Sequence, residues 1–356
     1  MADPLDAGGL RRWCALSAGQ LRRRADEIDA VNIFPVADAD TGTNMSLTMD
    51  AVARAVEAAV GGGASLPEAA AAMRDAALMD ARGNSGLILS QVLAGFARAL
   101  AGRPAAGPES LADCLEQGSD LAYAAVAEPR EGTILSVARA AAAGARSAAA
   151  DGGARLADVG HVAFAAAQHA AGELARTPLL LPALAEAGVV DAGGLGLAVI
   201  YAALAGAVCG QVPELPAAAI VALEGEGAVA IREGGSESYR HEVTYLLRAA
   251  AGDLPALRQR LARLGDSVVI AGAGDLWRVH AHVNDVGAAV EAGRRVGALA
   301  KVASARLLDA RPAASDGLSG RGGASATPAP GSQAPRARRS PAPPLPRARA
   351  RRARRR

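Results

Sequence analysis

Two aspartates stand two residues apart in the stretch NIFPVADADTGTNM, residues 32–45. In an extended segment, Asp38 and Asp40 point to the same side, and Pro35 favours extension because the residue before a proline is held out of the helical region. With Asn32 they make a set of hard oxygen ligands, which suits Mg²⁺ bound by one or two carboxylates, waters and substrate phosphates. Alternatively, the aspartates cap the helix that follows, which accounts for Asp40 better than for Asp38. The stretch therefore favours a magnesium site.

Small residues and glycines precede four predicted helices and form what we call the first to fourth turns. A helix N-terminus has free N–H groups and the positive end of the helix dipole, so it can hold a phosphate. One such turn is weak evidence, because ordinary capping uses the same residues, but four turns and an aspartate pair in one helical region point to a magnesium–nucleotide complex. The candidate residues are Thr41, Gly42, Thr43 and Asn44 in the first turn, Gly83, Asn84 and Ser85 in the second, Thr133 in the third, and Asp191, Ala192 and Gly193 in the fourth.

Two common nucleotide-binding motifs are missing from the sequence. It has no GxxxxGK[ST] loop, its single lysine is Lys301, and it has no Rossmann glycine pattern within a strand–helix unit. Phosphate charge would therefore be met by metal ions, backbone N–H groups and arginine. Because phosphoryl transfer depends mainly on positioning and electrostatics, this supply can suffice.

The spacing of apolar residues and helix breakers predicts the elements that position these side chains. Residues 1–212 read as eight helices with short connections, at about 9–29, 44–60, 67–80, 85–101, 109–127, 133–149, 155–174 and 194–209, which predicts an antiparallel bundle or barrel. Residues 217–310 read as strands at about 239–248, 267–274, 276–283 and 301–308 with helices at about 254–265 and 285–297. This β-α-β-β-α-β order is ferredoxin-like, so we expect a multidomain chain, first α and then α+β.

The segment 311–356 has a different composition from the rest of the chain. It contains twelve arginines and one aspartate among many Pro, Ala and Gly residues, with almost nothing apolar to bury, so we expect it to be disordered. It is either a basic arm for nucleic acid or anionic lipid, or an unselected tail, for example the product of a shifted reading frame, and the lack of interleaved aromatic residues favours the second reading. Because the whole chain carries a net charge of only +2, residues 1–310 are acidic, which argues against a nucleic-acid partner.

The N-terminus does not resemble a signal peptide, and no segment shows the length and uninterrupted apolarity of a membrane span. The three cysteines are far apart, which argues against a disulfide framework. We therefore expect a cytoplasmic protein without an integral membrane segment.

Four segments, in the same order along the chain, resemble a known family. NIFPVADADTGTNM, DARGNSGLILSQ, EPREGTILSVA and GVVDAGGLGL are similar to the nucleotide-binding domain of the fatty acid kinase catalytic subunit, which is related to the L subunit of dihydroxyacetone kinase. Downstream, GDSVVIAGAGDLWRVHAHVNDVGAAVEAG is similar to the middle domain of that family. The resemblance covers the chain to about residue 310.

The resemblance implies an eight-helix barrel that holds Mg-ATP at one end, with Asp38 and Asp40 as Mg²⁺ ligands, Asn32 as a third, and the four turns against the nucleotide. It implies transfer of the γ-phosphate to the carboxylate of a fatty acid, which gives an acyl phosphate, and presentation of the fatty acid by a DegV-family binding protein. We also expect a homodimer. Two alternatives stay open: transfer to dihydroxyacetone or another small hydroxyl compound, and a non-catalytic nucleotide-binding or regulatory protein.

The chain departs from the family pattern in the aspartate loop and at its end. The family usually has Pro-Asp-Gly-Asp where this chain has Ala37-Asp38-Ala39-Asp40, so Ala39 fits only if its position needs no positive φ. The family continues into a DegV-like third domain, and here the arginine–proline segment follows instead.

A second metal site is suggested by His280 and His282, which lie two apart in the predicted strand RVHAHVND and so share one face. Such a pair binds zinc when a further ligand is present. In the family that ligand is a cysteine from the strand at about 239–248, and Glu242 stands at the matching position here. The prediction is either a zinc site of Glu242, His280 and His282 or two solvated histidines on a strand.

Overall fold

The computed structural model describes residues 4–150, 158–216, 218 and 238–307. Within these ranges, a mostly helical region (residues 4–216) is followed by an α+β region (residues 238–307) that contains a small antiparallel sheet of four strands. The prediction of disorder for 311–356 concerns residues outside those described.

The described part of the helical region contains one more helix than predicted. The segment from Pro178 to Pro182 reads as a single break, but α7 continues past Pro178, and Pro182 opens a short helix at its first position, where the missing N–H costs nothing. The helices are α1 (Ala7–Ala30), α2 (Thr41–Gly61), α3 (Leu66–Asp80), α4 (Gly83–Ala99), α5 (Pro108–Ala125), α6 (Ile134–Ala150), α7 (Val159–Leu180), α8 (Pro182–Ala187) and α9 (Ala192–Cys209).

The long helices pack against one another in chain order, and the last returns to the first. Each of α1 to α6 contacts the next helix, α7 contacts α9, and α9 packs on α1. Where α4 crosses α5, a Cβ on Gly95 would collide with the backbone of Gly118, so glycine permits the close approach of the two helices. The ring of neighbours brings the starts of α2, α4, α6 and α9, which carry the four turns, into one region.

Helix α9 corrects one expectation from the sequence. No segment was expected to show the length and apolarity of a membrane span, yet Ala192–Cys209 is 18 residues long with a mean hydropathy of 1.9. In the fold, 72% of this helix is buried, and it packs on α1, α6 and α7. A helix that is apolar on all sides is typical of the core of a larger protein as well as of a membrane.

The α+β region follows the predicted order of elements. Its four strands pair antiparallel in the order β2-β3-β1-β4. One face of the sheet carries apolar residues such as Val243, Val279 and Ile270, which pack with residues of the two helices. The elements are β1 (His241–Arg248), a 3₁₀ turn (Ala251–Asp253), α10 (Leu254–Leu264), β2 (Gly265–Ala273), β3 (Leu276–Val283), α11 (Val286–Arg294) and β4 (Ala298–Arg306).

The opposite face of the sheet packs on the helical region. Val126, just after α5, forms an antiparallel bridge with Val269 of β2, and the N–H of Ala127 donates to the carbonyl of Val268 at 3.1 Å. A small apolar cluster joins the same two regions and consists of Ala81, Leu87, Ala125, Val269 and Ala271. The sheet therefore lies against the C-terminal ends of α3 and α5 and the start of α4, next to the second and third turns.

Candidate functional site

The loop between α1 and α2 brings the predicted magnesium ligands together. The side-chain amide of Asn32 donates to Asp38 Oδ1 at 2.6 Å and accepts from Thr41 Oγ1 at 2.9 Å. Asp40 precedes α2 as its N-cap residue, but its side chain accepts no capping hydrogen bond from that helix. Its carboxylate interacts with the side chains of Asn44 and Asp38 instead. Helix capping therefore does not explain the aspartate pair.

The two carboxylates are placed where both cannot easily be charged. Burial raises the pKa of Asp38 above its usual value, although its hydrogen bond from Asn32 acts the other way. Burial, the charge of Asp38 and, more weakly, the charge of Glu242 raise the pKa of Asp40 to about 7. Like charges this close favour a shared proton, and a divalent cation bound by both would stabilise both charged forms. Two carboxylates fit the ligand preference of Mg²⁺. Both polar atoms of the Asn32 amide are engaged by Asp38 and Thr41, so the residue predicted as a third ligand acts here as a hydrogen-bond partner of the loop.

Ala39, between the two aspartates, has a φ of 52°. This is the left-handed region, where a Cβ crowds the backbone and glycine is favoured. The resembling family usually has glycine at this position, so the departure noted in the sequence places strain in the aspartate loop.

Replacing Ala39 by glycine is expected to raise the free energy of unfolding by about 1 kcal/mol, because a Cβ in the left-handed region costs about 1 to 2 kcal/mol and the greater freedom of glycine in the unfolded chain offsets part of this. Urea unfolding measures the change. The matched control is Ala37→Gly, two residues earlier and not at a positive φ, which should lose stability. Equal effects of the two glycines would contradict the assignment of strain to Ala39.

The amides at the start of α2 are used by a residue that the sequence reasoning missed. One carboxylate oxygen of Asp29, near the end of α1, accepts from the N–H of Gly42 at 2.6 Å and that of Thr43 at 3.2 Å, and the other oxygen accepts from Thr43 Oγ1 at 2.7 Å. The phosphate cradle expected from Gly42 and Thr43 is thus filled by a protein carboxylate. An acid 13 residues before Gly42 gives no local signal of this contact. Of the first-turn residues, Thr41 and Asn44 remain candidates for contact with a nucleotide.

The second turn packs directly on the first. Gly83 has a φ of 55°, and a Cβ there would lie 2.5 Å from the side-chain nitrogen of Asn44. The N–H of Arg82 donates to Thr48 Oγ1 of α2 at 3.2 Å. The side-chain oxygen of Asn84 is buried and has no hydrogen-bond partner within the described structure. The second turn therefore presents an unpaired polar atom beside the aspartate loop.

The third and fourth turns are joined by Asp191. Its carboxylate accepts from the N–H of Gly194 at 2.6 Å and from the N–H of Ile134, so it caps both α9 and α6. Burial raises the pKa of Asp191 to about 7, although these two hydrogen bonds lower it in part. The hydroxyl of Thr133 donates to the carbonyl of Arg130 at 2.7 Å. Asp191 thus fixes the position of the third turn relative to the fourth.

A cavity of about 490 Å³ lies at the junction of the two regions, and we call it the junction cavity. It is lined by the predicted residues Thr41, Asn84, Ser85, Thr133, Asp191 and Gly193. Predicted residues that are not part of its lining are Asn32, Asp38, Asp40, Gly42, Thr43, Asn44, Gly83 and Ala192. Asn32 nevertheless bonds to Thr41 on the wall, so the aspartate loop adjoins the cavity.

Much of the cavity wall was not predicted. Apolar side chains of the helical region, among them Phe34, Ile88 and Leu181, form one part, and the charged residue Arg130 lies on the wall of the cavity beside its ion-pair partner Glu128. The start of β2, residues 265–269, forms the side contributed by the α+β region. A wall built from segments far apart in sequence leaves no local pattern to recognise.

The zinc prediction at Glu242, His280 and His282 is not supported. The Nε2 atoms of the two histidines lie 3.1 Å apart, as in a hydrogen bond between the rings, whereas Glu242 contacts Nδ1 of His280 at 3.2 Å. Glu242 therefore faces a different ring nitrogen of His280 from the one that faces His282, and the described residues contain no group of three or more His, Cys, Asp or Glu side chains suited to a metal. The alternative of solvated histidines is also wrong, since the residues are 2% and 4% exposed.

The folded chain is expected to be more stable at pH 5 than at pH 8. Asp40 and Asp191 have folded pKa values of about 7, above the value of about 3.9 in an unfolded chain. Between these values the folded state binds more protons, so stability falls as pH rises through this window. At pH 8, Mg²⁺ should restore stability by binding the folded state.

Thermal unfolding at both pH values, with and without Mg²⁺, measures this dependence. Asp191→Asn should weaken the pH dependence and keep the Mg²⁺ response, whereas Asp40→Asn should weaken both. A Mg²⁺ response that Asp40→Asn leaves intact would show that the ion binds elsewhere.

Two family models match successive parts of the chain. Residues 35–206 match the DAK2 domain, and residues 238–311 match the FakA-like middle domain of fatty acid kinase. The chain therefore carries a DAK2 domain followed by a FakA-like middle domain.

Curated relatives are considerably longer than this chain. It is 33% identical over 310 residues to Protein YloV of Bacillus subtilis, covering 84% of this chain and 55% of YloV. It is 34% identical over 310 residues to an uncharacterized protein of Staphylococcus saprophyticus, covering 85% of this chain and 55% of that protein. The chain thus spans about half the length of the curated relatives it matches.

Among solved structures, the dihydroxyacetone kinase from C. freundii in complex with AMP-PNP and Mg²⁺ is similar to this chain with a TM-score of 0.39 and 20% identity, covering 58% of this chain and 35% of that one.

Proposed function

We propose that this chain is a phosphotransferase that uses Mg-ATP to phosphorylate the carboxylate of a fatty acid, held by a DegV-family carrier protein, and so makes an acyl phosphate. The observation that carries this proposal is the joining of the Asn32, Asp38 and Asp40 loop to a cavity lined by Asn84 and Ser85. The DAK2 match supports kinase chemistry, and the middle-domain match favours a fatty acid over a small hydroxyl compound as acceptor.

In this proposal, Asp38 and Asp40 hold Mg²⁺, and Asn32 orients Asp38 through the 2.6 Å hydrogen bond. When bound, the ion neutralises the charge of the phosphates. Asn84 lines the cavity, and its side-chain oxygen has no hydrogen-bond partner among the described residues. Arg130, on the cavity wall, is a candidate to neutralise phosphate charge, a role that a lysine has in other kinases. The single lysine of this sequence, Lys301, lies on β4 instead.

The remaining wall suits the nucleoside part of ATP. Ligand sites are mostly apolar with a few placed polar groups, and Phe34, Ile88 and Leu181 supply the apolar surface. Asp191 is engaged with two helix starts, so its role is to hold the third and fourth turns in place.

The proposed acceptor, a fatty acid carboxylate, needs no general base among the cavity residues. A fatty acid carboxylate is already ionised at neutral pH, since carboxyl groups have pKa values of about 4 to 5. Its oxygen attacks the γ-phosphorus, the bond from that phosphorus to the bridging oxygen breaks, and ADP leaves. The residues of the chain need only position the two reactants and stabilise charge.

The test is to mix the chain with Mg-ATP, a long-chain fatty acid and a DegV-family carrier, and to measure ADP together with acyl phosphate trapped as a hydroxamate. Both products should form, and both should require the fatty acid and the carrier. A full-length relative assayed in parallel is the positive control. ADP formed with dihydroxyacetone instead would identify a small-molecule kinase, and nucleotide binding without transfer would identify a non-catalytic protein.

A further inference from the structure

Two arginines of the α+β region reach helix ends in the helical region. Arg278 on β3 donates from Nη1 to the carbonyl of Met79 at 2.8 Å, with the carbonyl of Leu78 at 3.4 Å. Arg258 on α10 donates from Nη2 to the carbonyl of Ala124 at 2.7 Å. These carbonyls belong to the last turns of α3 and α5.

Helix C-termini favour such contacts for two reasons. The last four carbonyls of an α-helix have no partner within the helix, and a cationic side chain both bonds to them and interacts favourably with the helix dipole. Neither α3 nor α5 has a basic residue in its own last turn. Each helix is therefore capped by an arginine that is more than a hundred residues away in sequence.

Each capped helix leads directly into one of the turns on the junction cavity. Helix α3 ends at Asp80, and α4 starts at Gly83 with the second turn. Helix α5 ends at Ala125 and is followed by the loop that contains Arg130 and Thr133 on the cavity wall. The arginines thus hold the chain just before the residues that line the cavity.

The charge of Arg278 is partly buried and has compensating groups around it. Burial lowers the pKa of the Arg278 guanidinium, and the charge of the nearby Arg82 lowers it further, while Asp80 and Glu242 act in the opposite direction. Burying a charge is costly unless it is hydrogen-bonded and compensated. The carbonyls of α3 supply the hydrogen bonds, and the charges of Asp80 and Glu242 compensate the guanidinium.

We propose that Arg258 and Arg278 are positioning residues through which the α+β region fixes the second and third turns for nucleotide binding. This inference rests on the proposed function, because it takes the junction cavity to be the nucleotide site. It assigns to the α+β region a role in the site without any of its side chains having to react.

The experiment compares Arg278→Ala, Arg258→Ala and the double variant with the wild-type protein, each made as the whole 356-residue chain. Hydrogen exchange without nucleotide is expected to speed up at residues 79–86 in Arg278→Ala and at residues 124–133 in Arg258→Ala. The KM for Mg-ATP should rise about tenfold or more for each, as for loss of a hydrogen bond from a charged group, with kcat changed little. Arg278→Lys, which keeps the positive charge and can still donate to a carbonyl, should recover part of the loss.

The matched control is Arg248→Ala, on the same sheet, where the arginine forms an exposed ion pair with Asp275. Arg248→Ala should leave both the hydrogen exchange of the two turns and the KM for Mg-ATP unchanged. Exchange that rises uniformly along the chain, or faster local exchange with an unchanged KM, would overturn the positioning role. If the wild-type chain binds no Mg-ATP, the proposed function fails, and the exchange pattern alone then decides whether the arginines hold the two turns.

Discussion

Replacing Asp38 by asparagine is expected to lower kcat/KM for phosphoryl transfer by about two to three orders of magnitude, as for loss of one preorganised electrostatic group in an active site. Asparagine has nearly the same shape and can still accept the hydrogen bond from Asn32, so the loop is preserved while one metal-binding charge is lost. Steady-state assays of ADP formation measure the effect, and Asp40→Asn should behave in the same way.

Loss of activity in these variants should not come from loss of stability. Burial and the charge of Asp38 raise the pKa of Asp40, so removing that charge relieves repulsion in the folded state. The control is Asp50→Asn, the same chemical change on α2, where the aspartate pairs with Arg22 at 2.6 Å. Its activity should be close to that of the wild-type chain. Equal losses in Asp38→Asn and Asp50→Asn would contradict a specific metal site.

Replacing Gly42 by alanine is expected to cost about 3 kcal/mol or more of the free energy of unfolding, at the upper end of overpacking effects. An added Cβ would collide with the carbonyl oxygen of Ala25 and lie 2.9 Å from Cβ of Ile28. Backbone atoms cannot move aside as a flexible side chain can, so α1 and α2 would have to separate. That separation would also break the contacts of Asp29 with the start of α2.

Urea unfolding of Gly42→Ala and Gly61→Ala provides the comparison. Gly61 lies in the same helix, and nothing is within 4 Å of the position of its Cβ. Alanine there should be neutral or stabilising by up to about 1 kcal/mol, because alanine favours helix. A similar small effect at both positions would mean that Gly42 is not needed for the packing of α1 on α2.

Local patterns in the sequence were sufficient to predict most elements of the fold. Helices α1 to α7 and α9 and all four strands lie close to their predicted positions, because their apolar spacing and flanking breakers depend on neighbouring residues only. The helix α8 was missed because Pro178 and Pro182 looked like one break. The apolarity of α9 was underestimated, since its burial on all sides depends on neighbours from distant segments.

The candidate site was predictable only where its residues lie close together in sequence. Asn32, Asp38 and Asp40 lie within nine residues, and the structure brings them together as their spacing indicated. Asp29, the apolar cavity wall and the two arginine caps depend on contacts between segments far apart in sequence, so no spacing rule could reveal them. The alternation of His280 and His282 predicted a shared face but could not show that this face is buried against the helical region.

The strain at Ala39 could be recognised only by combining the family resemblance with the backbone conformation in the structure. From the sequence, alanine is suitable at position 39 only if the backbone there does not need a positive φ. The structure shows that Ala39 does have a positive φ. The aspartate loop therefore keeps its two carboxylates, while Ala39 between them has a side chain that its backbone conformation disfavours.

The most direct test of the magnesium–nucleotide site is a calorimetric titration of ATP into the wild-type chain and into Asp38→Asn, with Mg²⁺ and with EDTA. If Asp38 and Asp40 hold Mg²⁺ for the nucleotide, the wild-type chain has one saturable nucleotide site with Mg²⁺, and this site is lost or greatly weakened both with EDTA and in Asp38→Asn. Binding of equal strength with and without Mg²⁺, or unchanged in Asp38→Asn, would contradict the assignment of a magnesium–nucleotide site to the loop of Asp38 and Asp40.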